Sequence, residues 1–270
     1  MEHGLLLGVS AVVGEIVAFG GFPGFELMVL GFLSPLFIEM GAFAINDYFD
    51  VDADRINKRA DRPLVRGDLV PGHALGLSVF AFLAGVFTAS LISFSCLLIV
   101  LLFAFLSFYY AWFLKKVAVL GNLVIAFSMA VPFLFGSVAA VGSVSAFVYL
   151  LSLAAFLLGF GREIMKSIQD MRGDKLTGRR TLPLLVGRES AAWHASFFML
   201  LSSFVLLMPF FQGGFFYHDW NFLALAVSAD YILLLVLPDA FKGRRLERAR
   251  RATLIAMSLA VIGFLVGALY

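Results

Sequence analysis

The side chains in this chain best equipped for chemistry are acids set at helical intervals. Asn46-Asp47-Tyr48-Phe49-Asp50 is followed by Asp54, and a second group holds Asp170 and Asp174. On a helix, Asp47, Asp50 and Asp54 fall at i, i+3 and i+7 and share one face, and Asn46 joins that stripe four residues before Asp50. Asp170 and Asp174 stand at i, i+4. Carboxylates gathered without cations repel one another and resist ionisation. Beside Arg and Lys, and with a hard divalent ion such as Mg²⁺, they suit a diphosphate, because Mg²⁺ takes a few carboxylate oxygens and completes its octahedron with phosphate and water. Metal and basic groups together would stabilise the charge that develops on a leaving diphosphate, which is what breaking an allylic C–O bond demands. One DxxD alone is a weak signal. Two groups carry the inference.

The two groups belong to an internal repeat. Residues 50–67 read DVDADRINKRADRPLVRG and residues 170–187 read DMRGDKLTGRRTLPLLVG, aligned without gaps at an offset of 120. Asp50 matches Asp170, Asp54 matches Asp174, Arg59 matches Arg179, and Pro63, Leu64 and Gly67 match Pro183, Leu184 and Gly187. This reads as two related helix–loop units that face each other across a site, the logic by which transporters place function between repeats.

The elements that must position these residues are set by composition. Of 270 residues, 61% are hydrophobic and 14% charged, mean hydropathy is +0.97, and Phe alone counts 31. Soluble domains run nearer half apolar and a quarter charged, so the class is membrane protein. Apolar stretches long enough to cross a bilayer fall near 4–21, 25–47, 72–92, 96–114, 118–140, 144–166, 190–211, 219–238 and 250–269. The expected fold is all-α and polytopic: about nine transmembrane helices in one domain over 1–270, around a central cavity, with capping loops near 48–71 and 167–189. All 20 Lys and Arg follow the second, fourth or eighth stretch or surround the end of the sixth. By the positive-inside rule this predicts a cytoplasmic N-terminus, an outer C-terminus and a site on the cytoplasmic side of the cell membrane. The start, Met1-Glu2-His3, lacks a signal peptide's basic lead, so the first stretch reads as a retained helix. The lone Cys96 permits no internal disulfide.

NDYFDVDADRINKRADRP resembles the NDxxDxxxD signature of the UbiA superfamily of intramembrane prenyltransferases, and QDMRGDKLTGRRTLP resembles its DxxxD signature. The resemblance spans nearly the whole chain. It implies two Mg²⁺ ions bridging a prenyl diphosphate, with Asn46, Asp47, Asp50, Asp54, Asp170 and Asp174 as metal ligands and Asp50, Asp54, Asp170 and Asp174 at the heart of catalysis. Arg59, Lys115, Lys116, Arg162 and Lys166 become candidates for the diphosphate oxygens, while Arg62-Pro63 and Arg180 to Pro183 shape the capping loops. The wording REIMKSIQDMRGDKLTGRRTLPLLVG is most similar to the archaeal digeranylgeranylglyceryl phosphate branch, which adds a second geranylgeranyl chain to geranylgeranylglyceryl phosphate as an ether. The chain departs from that branch at Ser167, where Asp is common, and at Gln169, where Glu is common. It also lacks the usual basic lead-in and Asn before the first helix, which points to truncation, a misplaced start or a divergent acceptor site.

An ionisable group inside a span is costly and by default functional. Glu15 and Glu39 qualify. Glu39 lies on roughly the stripe of Asn46 and Asp47 and is, with Tyr109, a candidate for binding the acceptor or steadying a cation. An interhelical hydrogen-bonded acid is the competing reading for Glu39, and an interfacial belt for Tyr109. His3, His73, His194 and His218 are scattered, so no general base stands out. The expected partners are a prenyl diphosphate, a lipid-phosphate acceptor and membrane lipid, without nucleic acid or an obligate protein partner. Prenylation of an aromatic acceptor and, more remotely, divalent-cation transport use similar carboxylates.

Overall fold

The structure, a computed structural model, describes residues 2–56, 62–117, 119–176, 180–242 and 244–269. Among these residues it is all-helical. The elements are α1 (Glu2–Phe19), α2 (Phe25–Ile56), α3 (Pro63–Arg66), α4 (Pro71–Ile92), α5 (Phe94–Trp112), α6 (Leu120–Val141), α7 (Ala146–Leu176), α8 (Leu182–Val186), α9 (Arg188–Leu207), α10 (Trp220–Phe241) and α11 (Leu246–Leu269). Among the described residues, 8 helices are long and apolar enough to cross a membrane, and the apolar part of α1, Gly4–Phe19, is shorter. At about 1.5 Å per residue, α1 still reaches roughly 27 Å, close to the thickness of the hydrocarbon core.

Breakers place the helix ends. Ser93 turns the chain between α4 and α5 and accepts a hydrogen bond from the Cys96 amide at 3.1 Å, and Asp219 caps α10 through the Asn221 and Phe222 amides. α2 and α7 run to 32 and 31 residues, more than the roughly 20 that a bilayer needs. Their last turns therefore carry helix into segments expected to be loop from about 48 and 167. Residues 48–56 and 167–176 hold no Pro that would stop a helix there.

The repeat recurs as local structure. α3 and α8 each start with a Pro in the first turn and end at a glycine of positive φ, Gly67 at 85° and Gly187 at 86°. A side chain at either position would be strained.

The chain forms two compact units: Met1–Val12 with Gly24–Lys115, and Val13–Pro23 with Lys116–Tyr270. In the first, α2 packs on α4 through small residues. Ser34 donates to the Gly85 carbonyl and Ser78 to the Gly41 carbonyl, both at 2.9 Å. Between helices in lipid there is no water to drive association, so close approach and such interhelical hydrogen bonds hold the pair. In the second unit α7 is central: its apolar window is 72% buried, against 17–50% for the other spans. α6, α9 and α11 pack on it, with Ser202 of α9 donating to the Ala154 carbonyl at 2.8 Å. The second half of α1 meets α6 backbone to backbone, for a Cβ added at Gly14 would lie 2.2 Å from the Phe133 carbonyl oxygen.

Candidate functional site

The first unit holds the longer acidic group. Asn46, Asp47, Asp50 and Asp54 occupy the closing turns of α2, each half-buried. Lys115, in the single 3₁₀ turn after α5, donates to Asp50 Oδ1 at 2.7 Å and to Asn46 Oδ1 at 3.1 Å. Its side chain is 8% exposed. A cation so far out of water needs a paired anion, and the i, i+4 spacing of Asn46 and Asp50 lets one ammonium meet both.

Arg62 serves the other acids. It precedes Pro63, which forces it into extended backbone at φ −89°, ψ 127°. From there Nη1 meets Asp47 Oδ1 at 2.5 Å and Nε lies 3.8 Å from Asp54 Oδ2. Sequence reasoning gave Arg62 only a loop-shaping role. The contact joins residues fifteen apart, and its signal was the Arg-Pro pair just beyond the acidic stripe. The three carboxylates and two cations leave one negative charge in excess.

Tyr109 lies in an aromatic row along α5, its ring 6.1 Å from Phe105 and close to Trp112 and Phe113. Phe105, Trp112 and Phe113 are exposed, as rings of an interfacial belt would be. Glu39 is half-buried on α2 beside Gly4 of α1. Arg59 lies outside the described residues, as does the side chain of Lys116.

In the second unit α7 carries Arg162, Lys166, Asp170 and Asp174. Asp174 is buried and Asp170, one turn earlier, is exposed. Lys166 pairs loosely with Glu163 at 3.9 Å. Ser167 accepts from the Asn122 amide of α6 at 3.2 Å, a neutral contact. Arg250 Nη1, on α11, donates to Gln169 Oε1 at 2.9 Å and to Glu247 Oε2 at 3.2 Å. Arg250 was also missed in the sequence, where it is one of a run of topology-setting bases. Glu15, at 0% exposure, has no hydrogen-bond partner on either oxygen. Asp230, absent from the sequence candidates, is a second buried intramembrane acid, on α10.

Both acidic groups offer oxygen donors only. Among the described residues no three His, Cys, Asp or Glu side chains gather closely enough to hold a metal ion by themselves. That suits Mg²⁺, which is held by one or two carboxylates and completed by substrate phosphate and water, better than a metal caged by protein alone.

Comparison with known proteins identifies the family. The model of the UbiA prenyltransferase family matches residues 7–262. The chain is 38% identical over 271 residues to the digeranylgeranylglyceryl phosphate synthase of Archaeoglobus fulgidus, covering 99% of this chain and 92% of that protein. A structure solved for insight into digeranylgeranylglyceryl phosphate synthase in membranes superposes with a TM-score of 0.81 at 27% identity, covering 99% of this chain and 94% of that one. A UbiA homologue from Archaeoglobus fulgidus bound to DMAPP and Mg²⁺ gives 0.75 at 19% identity, covering 99% and 96%. With the family's sequence pattern running from the first helix to the last, the chain belongs to the UbiA prenyltransferase family and is a multi-pass membrane prenyltransferase.

Proposed function

We propose that the chain transfers a geranylgeranyl group from geranylgeranyl diphosphate to the hydroxyl of geranylgeranylglyceryl phosphate, making the second ether bond of an archaeal membrane lipid, and that residues 1–270 act as one catalytic domain. One observation carries the chemistry: every carboxylate of the first acidic group is matched to a cation, Asp50 to Lys115 and both Asp47 and Asp54 to Arg62. Such pairs can exchange partners. A divalent ion on the acids frees the ammonium and guanidinium for phosphate oxygens. The acceptor rests on the near-full-length likeness to the Archaeoglobus fulgidus protein.

Asp47, Asp50 and Asp54 with Asn46, and Asp170 with Asp174, would hold Mg²⁺. When bound, that ion neutralises charge building on the departing diphosphate. Lys115 and Arg62 bind the diphosphate oxygens and steady the same charge, joined by Lys166 and, in the reading from family resemblance, Arg59 and Lys116. The allylic C–O bond breaks, an ether C–O bond forms to the acceptor hydroxyl, and its proton leaves with the diphosphate. The apolar helices keep water from the allylic carbon.

The acceptor is tested by offering purified protein, labelled geranylgeranyl diphosphate and Mg²⁺ with geranylgeranylglyceryl phosphate or 4-hydroxybenzoate. Label entering only the doubly prenylated glyceryl phosphate supports the proposal. Label entering only the aromatic acid would keep the chemistry and reject the acceptor.

The acids and their bases face the cytoplasm in this reading, with the N-terminus inside and the C-terminus outside. Its support is that Lys and Arg fall in alternate connections or in the helix turns that border them. In a Cys96→Ala background, Ser143→Cys should react with an impermeant maleimide in intact cells, and Asp68→Cys only after lysis. The opposite pattern would invert the topology.

A further inference from the structure

The seam between α7 and α11 in the second unit holds a pair of guanidiniums that the acidic motifs do not explain. Arg162 is half-buried and Arg250 has a side-chain exposure of 23%. The Nε of each is buried and has no hydrogen-bond partner. The charged groups that bear on Arg162 are Arg250, Glu163 and Glu247. Both acids are shared: Glu163 with Lys166, and Glu247 with Arg250 and Arg251. Glu163 and Glu247 are thus divided among four cations, Arg162, Lys166, Arg250 and Arg251, so neither guanidinium has a carboxylate to itself. A buried guanidinium N–H left without an acceptor is costly, and an anion at the seam would satisfy both.

Gln169 sharpens the point. It stands immediately before Asp170, where a glutamate would neutralise Arg250, but its amide oxygen accepts from Arg250 and leaves the charge intact. On α7, Arg162 and Gln169 are seven residues apart and point nearly the same way. On the same helix, Arg162 stands about two turns, and Gln169 one residue, before Asp170 of the second acidic motif. A guanidinium pair binds phosphate oxygens through paired N–H donors, which an ammonium cannot imitate.

We propose that Arg162 and Arg250 form a phosphate-monoester site that reads the headgroup phosphate of the lipid acceptor, with Arg250 as a specificity-determining residue. The inference rests on the acceptor reading above, and its chemistry distinguishes this phosphate from the metal-bound diphosphate of the donor.

The test uses the full chain in detergent with Arg250→Gln and Arg250→Lys, and Arg162→Gln as a second site should Arg250→Gln fail to fold. Two acceptors are compared, geranylgeranylglyceryl phosphate and geranylgeranylglycerol, which lacks the phosphate. Losing one charge-assisted contact should cut the preference for the phosphate-bearing acceptor about 10- to 100-fold in Arg250→Gln, through acceptor KM, with donor KM moving less than twofold. Arg250→Lys should recover only part of it. A rise in donor KM, or equal losses on both acceptors, would overturn the assignment. Thermal unfolding supplies a readout without turnover. Glycerol phosphate should raise the melting temperature of the wild type more than inorganic phosphate does, and raise it little in Arg250→Gln. If the wild type modifies neither acceptor yet keeps this shift, the acceptor reading fails and the anion site stands. Equal shifts in wild type and variant sink the site itself.

Discussion

Asp50→Ala should lower prenyl transfer by about a thousandfold, the scale for removing a group that stabilises transition-state charge, and should also lower the melting temperature. Two separate losses are involved. The first is the carboxylate oxygen that Asp50 would offer the proposed Mg²⁺ on the α2 stripe. The second is the partner of Lys115, whose ammonium sits at 8% exposure with Asp50 2.7 Å away. Stranding a fully buried charge costs about 3–5 kcal/mol. Asp50 itself is 24% exposed, so water and the Asn46 oxygen soften the loss to about 1–3 kcal/mol. Asp50→Asn separates the two, because its amide oxygen still accepts from Lys115 while the negative charge is gone. Activity should collapse in Asn and Ala alike, with the larger fall in melting temperature in Ala, which loses the hydrogen bond to Lys115 as well as the charge. Parallel turnover and thermal-unfolding measurements check this, and an Asp50→Asn enzyme within tenfold of wild type would remove Asp50 from the metal set.

Lys115→Met should split metal and donor affinity in opposite directions. Without substrate, the ammonium competes with any cation for Asp50 and Asn46, and its removal leaves the stripe more negative. Mn²⁺, used as a spectroscopic stand-in for Mg²⁺, should therefore bind the donor-free variant more tightly. With substrate, the proposed role of the same ammonium is to bind the diphosphate, so donor KM should rise about 10- to 100-fold, the worth of a charge-assisted hydrogen bond. A lysine serving only as a topology signal would alter neither constant. Weakening of both would mean that Lys115 organises the site without exchanging partners.

These expectations draw on contacts of unequal legibility. The acidic stripe was readable because helical periodicity alone places Asp47, Asp50 and Asp54 on one face. The polytopic all-helical fold followed from the apolar runs, whose length the bilayer dictates. The helix ends were harder. α2 and α7 continue to Ile56 and Leu176 because polar residues do not stop a helix in the absence of Pro, and hydropathy registers only where lipid ends. Least legible were the cations' choices. Lys115 and Asp50 are 65 residues apart, and Arg250 and Gln169 are 81 apart. In the sequence each base merely belongs to a cluster that marks the cytoplasmic side. Only the packing of α5 beside α2, and of α11 beside α7, brings a particular cation to a particular oxygen. Arg62 is intermediate, for its Pro63 neighbour fixes its backbone locally but does not announce that the chain doubles back to α2.

In the proposed function each acidic motif would hold Mg²⁺ that the diphosphate needs. The most direct measurement follows labelled geranylgeranyl diphosphate through the purified enzyme with geranylgeranylglyceryl phosphate, in Mg²⁺ and in EDTA, for the wild type and for Asp50→Ala/Asp174→Ala. The expected result is an ether product and released diphosphate in equal amounts from the wild type with Mg²⁺, and neither in EDTA nor from the double variant. Product formed at an unchanged rate in EDTA, or by the double variant, would contradict it.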